Sequence, residues 1–129
     1  MRHDLSADRL QELNPRGLIL SGGPSSVYDD NAPGIDPAIF EMGIPVLGIC
    51  YGMQLLANQF GGEVSSADER EYGSAIISQS GPQHPLFDGL PSSFEVWASH
   101  GDNVLKLPDG FRVLAESENA PIVAFTDDA

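Results

Sequence analysis

Apolar residues fall in short unbroken runs in the first half of the chain and alternate with polar ones in the second. Leu18-Ile19-Leu20 and Ile44-Pro45-Val46-Leu47-Gly48-Ile49 are bounded by turns and read as buried strands. Ser6 to Leu13 predicts a short helix with Ser6 as N-cap, ended by Asn14-Pro15-Arg16-Gly17. Residues 34–42 predict a second helix, closed by Gly43. Tyr51 to Phe60 predicts a third, in which Met53, Leu55, Leu56, Ala57 and Phe60 supply an apolar face; Gly61-Gly62 stops it. Strand, helix, strand, helix in that order implies parallel strands with crossover helices, an α/β sheet.

After Gly62 the pattern changes. Residues 72–79, 94–99, 111–117 and 122–126 read as strands between Pro/Gly turns, with no long helical segment among them. The expectation is a strand-rich C-terminal half that extends the same sheet, within a single domain over residues 1–129.

Composition narrows the setting. The chain has 129 residues, of which 41% are hydrophobic, enough for a sizeable core. No apolar run approaches the roughly 20 residues that span a bilayer, and the N-terminus lacks the apolar stretch of a secretory signal. A cytoplasmic location without membrane contact is expected. Nineteen acids against six bases give a net charge of −13, which argues against nucleic acid as a partner. A solvated acidic surface is its ordinary meaning. The lone cysteine, Cys50, excludes an internal disulfide and a cysteine metal cluster, and is either a buried inert thiol or a nucleophile.

Its neighbours favour the nucleophile. Cys50 stands where an apolar strand ends and a helix begins, and Gly48 and Gly52 bracket it two residues to either side. That is the thiol form of a nucleophile elbow, in which glycines allow a tight turn that pushes the side chain into a cleft. A thiol attacks as the thiolate, a form favoured at a helix N-terminus or beside a histidine. Ser21-Gly22-Gly23-Pro24 ends the preceding strand, at the same edge of a parallel sheet, and can offer backbone N–H groups to an oxyanion. An isolated Gly-Gly-Pro is an ordinary strand exit; two such turns in successive βα units point to a site.

Leu20-Ser21-Gly22-Gly23-Pro24-Ser25-Ser26 and Pro45-Val46-Leu47-Gly48-Ile49-Cys50-Tyr51-Gly52-Met53-Gln54 together resemble the class I glutamine amidotransferases. Arg70-Glu71-Tyr72-Gly73 and Val96-Trp97-Ala98-Ser99-His100-Gly101-Asp102 narrow the likeness to the amidotransferase domains of the GMP synthase family, and Leu107-Pro108-Asp109-Gly110-Phe111 is similar to the same domains. The resemblance covers nearly the whole chain. It implies a three-layer, mostly parallel sheet with helices on both faces, flavodoxin-like. It implies that Cys50 attacks the side-chain amide of glutamine, giving a γ-glutamyl thioester and ammonia. The amides of Gly23 and Tyr51 would form the oxyanion hole. Gln54, Ser99, Gly101 and Asp102 would hold the amino-acid end of glutamine, an aspartate being a natural partner for an ammonium. Without the family, Gln54 is an exposed helix residue and Asp102 a turn residue.

The pattern is incomplete. The family's histidine and glutamate come from a late Gly-Val-Gln-Phe-His-Pro-Glu motif, and the chain stops at Phe125-Thr126-Asp127-Asp128-Ala129, where that strand would follow. His3, His84 and His100 are poor substitutes as the base for Cys50. The opening strand and helix of the family are unmatched as well. The chain is therefore expected to lack both ends of the domain, to hydrolyse glutamine negligibly alone, and to expose sheet edges that favour a homo-oligomer. No cofactor is expected in this chain. ATP and Mg belong with a synthetase domain or subunit, the expected partner, whose phosphate loop is absent from these residues. Other readings stay open: the amidotransferase of anthranilate synthase or carbamoyl phosphate synthetase, a catalytically silent binding or regulatory domain, or an unrelated cysteine hydrolase with the same elbow.

Overall fold

A computed structural model describes residues 4–128, and residues 66–71 by their backbone alone. His3 and the side chains of Arg70 and Glu71 lie outside the described residues. The chain divides between Gln59 and Phe60 into two compact units.

The first unit opens with helix α1, Ala7–Leu13. Ser6 is extended at φ −72°, and its hydroxyl accepts from Arg9 N at 3.4 Å. Asn14, left-handed at φ 46°, ends the helix, its N–H reaching the Leu10 and Gln11 carbonyls. Strand β1, Leu18–Leu20, pairs in parallel with β2, Val46–Gly48, in the register Leu18 to Val46 and Leu20 to Gly48. Between them lies a 3-10 helix, Pro37–Met42. It starts later than the sequence suggests because Asp36 is its N-cap and Pro37 fits only the first turn. Six residues before the left-handed Gly43 leave room for little more than a tight helix. The Asp36 carboxylate also accepts from Ala7 N at 3.0 Å, so one side chain caps both helix starts. Helix α2, Tyr51–Gln59, follows β2 directly, with Tyr51, Gly52, Gln54 and Ala57 buried. Phe60 lies past its end, where its ring meets Phe111 at 5.5 Å.

The second unit is a four-stranded sheet in the order β4-β3-β5-β6, with β3 Glu63–Gln79, β4 Ser93–Lys106, β5 Arg112–Ser117 and β6 Ala124–Thr126. Every pairing in it is antiparallel. Phe87, Leu114 and Ala115 form its buried centre, with Ile77, Phe94, Val123 and Ala124 packed around them. Arg112 closes the edge by a bidentate pair with Asp128, at 2.6 and 2.8 Å.

The expected mostly parallel, three-layer sheet is thus corrected. Among the described residues, parallel pairing joins β1 to β2, and the main sheet is antiparallel and separate from that pair. Parallel strands need a crossover of about a dozen residues or more, usually a helix. The connections after Gly62 carry at most the three-residue 3-10 helix Pro85–Phe87, and the pairings that result, β3 with β4, β3 with β5 and β5 with β6, are all antiparallel. Strands β3 and β4 also run well beyond the expected 72–79 and 94–99. No helix among the described residues is long and apolar enough to cross a membrane.

Candidate active site

Cys50 sits between β2 and α2 with φ 51°, in the left-handed region that a residue bearing a Cβ rarely adopts. The backbone on either side enforces this. The Ile49 N–H donates to the Leu20 carbonyl at 2.8 Å, which continues the parallel pairing up to the turn. The Cys50 carbonyl accepts from Gln54 N at 3.1 Å, which starts the helix one residue later. Cys50 joins a strand's last bond to a helix's first, and its side chain is exposed.

The two flanking glycines are needed for close approach. A Cβ on Gly48 would lie 2.6 Å from the Gly52 carbonyl oxygen and from Leu56 Cδ1, and one on Gly52 would lie 2.1 Å from the Leu20 carbonyl oxygen. Neither position tolerates a side chain without a backbone shift. The Gly22-Gly23 turn is laid against the elbow. A Cβ on Gly22 would stand 3.3 Å from Cys50 Cβ and 3.9 Å from Cys50 Sγ; one on Gly23 would stand 3.8 Å from Tyr51 Cγ.

The structure therefore brings Gly23, Cys50, Tyr51 and Gln54 together in the first unit. Gln54 is buried, only 5% exposed, which overturns the alternative of a solvent-facing helix residue. Ser99, Gly101 and Asp102 stand together on β4 in the second unit. Ser99 is exposed and pairs with Tyr72; Gly101 and Asp102 are half-buried beside a register shift, where Ser66 opposes Asp102 and Glu71 opposes His100. His84 is occupied as a cap: its Nδ1 accepts from Leu86 N at 3.1 Å. Among the described residues, no group of three or more His, Cys, Asp or Glu stands ready to hold a metal ion.

Three features escaped sequence reasoning. Gly22, rather than Gly23, makes the nearest approach to the thiol. The Tyr51 hydroxyl donates to the Pro33 carbonyl at 2.6 Å, a bond that leaves no trace in the sequence. The double cap by Asp36 was half legible, since Asp-Pro is a helix-start signal.

Comparison with known proteins identifies the family. The family model "Glutamine amidotransferase class-I" matches residues 1–128. A "GMP synthase [glutamine-hydrolyzing]" of Ligilactobacillus salivarius is 55% identical over the whole chain, and one of Pediococcus pentosaceus is 50% identical. The chain spans about 25% of the length of these relatives. The crystal structure of a putative GMP synthase subunit from Thermoplasma acidophilum superposes with a TM-score of 0.83 at 31% identity, covering 100% of this chain and 64% of that one. A glutamine amidotransferase from Thermotoga maritima, at 23% identity, shares the fold with a TM-score of 0.78 over 95% of this chain and 54% of its own. The fold is accordingly α/β, and the chain belongs to the class I glutamine amidotransferases.

Proposed function

We propose that these residues form the glutamine-hydrolysing part of a GMP synthase, which supplies ammonia for the amination of XMP to GMP. The observation that carries this reading is the left-handed Cys50 at the β2–α2 elbow with the Gly22-Gly23 turn against its side chain. Such an arrangement presents a thiol and backbone N–H groups to one reacting carbonyl.

The reaction then runs in two steps. Cys50 Sγ attacks the side-chain amide carbon of glutamine, and the carbonyl becomes an oxyanion held by the Gly23 and Tyr51 amides. Collapse breaks the C–N bond; ammonia leaves with one added proton, and a γ-glutamyl thioester remains. Water attacks the thioester, releasing glutamate and restoring the thiol. The family resemblance assigns the amino-acid end of the substrate to Gln54 of the first unit and to Ser99, Gly101 and Asp102 of the second. The proton relay belongs to the family's histidine and glutamate, which the 129 residues do not include. ATP and Mg act on XMP in a synthetase partner. The names of the similar proteins support this assignment over anthranilate synthase or carbamoyl phosphate synthetase.

The test is alkylation by a glutamine analogue with a chloroketone in place of its carboxamide. The thiolate would displace chloride and form a C–S bond. Labelling of Cys50 well above that of a free thiol supports the reading. Labelling no faster than a free thiol supports a catalytically silent domain.

A further inference from the structure

The segment from Ser21 to Asp36 leaves β1, passes the thiol at Gly22 and Gly23, and returns to the 3-10 helix. Its middle is held by its own bonds: the Asp29 carboxylate accepts from Ser26 N at 2.8 Å, Asp29 N donates to the Ser26 carbonyl at 3.1 Å, and Ala32 N donates to the Asp29 carbonyl at 3.0 Å. Those bonds make the segment a body without fixing that body to the elbow.

One side chain reaches both of its ends. The Tyr51 ring lies beside Gly23, where a Cβ would meet Cγ at 3.8 Å and Cβ at 3.9 Å. The Tyr51 hydroxyl donates to the Pro33 carbonyl at 2.6 Å, ten residues further along. The ring is 6% exposed and lines an apolar cavity of about 300 Å³ with Leu18, Leu20, Pro33 and Ile39. Burial first, and the Asp29 charge second, push the phenol above its ordinary range, so it stays protonated and able to donate. Because Tyr51 is the first residue of α2, its position is fixed by the same turn that fixes Cys50.

We propose that the Tyr51 side chain is a positioning residue, a clamp that holds the Gly22-Gly23 turn against Cys50 by its ring and anchors the far end of that segment at Pro33 through its hydroxyl. The backbone amide of Tyr51 has one task and the side chain another. This inference rests on the glutaminase reading for its purpose, but its geometry can be tested apart from it. Tyr51→Phe removes the hydroxyl and keeps the ring; Tyr51→Leu removes both.

The experiment measures backbone ¹⁵N relaxation in the full chain, together with two alkylation rates. In the parent chain the Gly22 and Gly23 N–H order parameters are expected near 0.85, the rigid range. Tyr51→Phe should lower them below about 0.7, and Tyr51→Leu further, while Ile19, Leu47 and Leu55 keep theirs. The chloroketone rate should fall about tenfold in Tyr51→Phe, whereas the rate with iodoacetamide, which needs no oriented carbonyl, stays within about twofold. Unchanged Gly22 and Gly23 order parameters would overturn the clamp. So would a drop spread evenly over β1, β2 and α2, since the side chain would then be a general packing element. If the parent chain shows no enhanced chloroketone labelling, the glutaminase reading fails, and the relaxation data still decide the clamp.

Discussion

Gly52 approaches Leu20 so closely that a Cβ on the glycine would lie 2.1 Å from the leucine carbonyl oxygen. That carbonyl also accepts the Ile49 N–H at 2.8 Å. The end of β1 thus receives both the last residue of the strand turn and the first turn of α2. The elbow is wedged against its neighbouring strand, and the nucleophile position is set by backbone packing.

Gly52→Ala should therefore destabilise the chain by about 1–3 kcal/mol, the usual cost of forcing extra volume into a packed site. Gly48→Ala should behave alike, with the Gly52 carbonyl 2.6 Å from the new methyl. Gly34→Ala is the control, because nothing lies within 4 Å of its Cβ position. Chemical denaturation of the three variants would show whether the two elbow glycines stand apart from Gly34.

Strain at Cys50 gives a second expectation. A left-handed conformation costs a residue with a Cβ about 1–2 kcal/mol, and glycine avoids it. Cys50→Gly should be more stable than Cys50→Ala by about 1 kcal/mol, reduced somewhat by the greater freedom of glycine in the unfolded chain. Neither variant should be labelled. Equal midpoints in urea would mean that the turn is relaxed in solution.

Asp36 links two helix starts and makes stability depend on pH. The Ala7 N–H, and then the Ala38 N–H, hold its carboxyl below its ordinary range. A group depressed in the folded state contributes stability that is present above its unfolded pKa, near 4, and lost as pH falls through the folded value. Asp36→Asn should be less stable than the parent at pH 7, and the gap should narrow below about pH 4. A gap that stays constant down to pH 2 would show that the charge has no part in the cap.

Alkylation and turnover should separate. Displacing chloride needs a placed thiolate; expelling ammonia also needs a proton donor. A polypeptide of these 129 residues should label at Cys50 yet turn over glutamine several orders of magnitude more slowly than relatives that carry the histidine motif. Steady-state glutamate release beside the labelling rate would check this.

The sequence disclosed the elbow because its chemistry needs particular residues at particular spacings: Gly48, Cys50 and Gly52 after an apolar run. It disclosed α1 through Ser6 and Asn14, whose side-chain and left-handed propensities are local. It did not disclose that β3 begins at Glu63. The polar stretch Ser65–Glu71 lacks alternation, and it is paired with β4 at Ser65, Ser66 and Glu71. The mostly parallel sheet is what the family resemblance and the strand-helix order of the first half imply; after Gly62 no long helix stands between the strands to carry a parallel crossover. Polarity alone leaves Gln54 open to an exposed reading, but three residues from Tyr51 and three from Ala57 it lies on the buried stripe of α2. The Tyr51–Pro33 bond was illegible, since any residue offers a carbonyl.

The central claim is that Cys50 is placed to attack a glutamine side chain, and peptide-resolved mass spectrometry after chloroketone treatment tests it most directly. The account predicts a single adduct on Cys50, formed at least tenfold faster than on free cysteine and slowed by added glutamine. An adduct that forms no faster than on free cysteine and is indifferent to glutamine would contradict it.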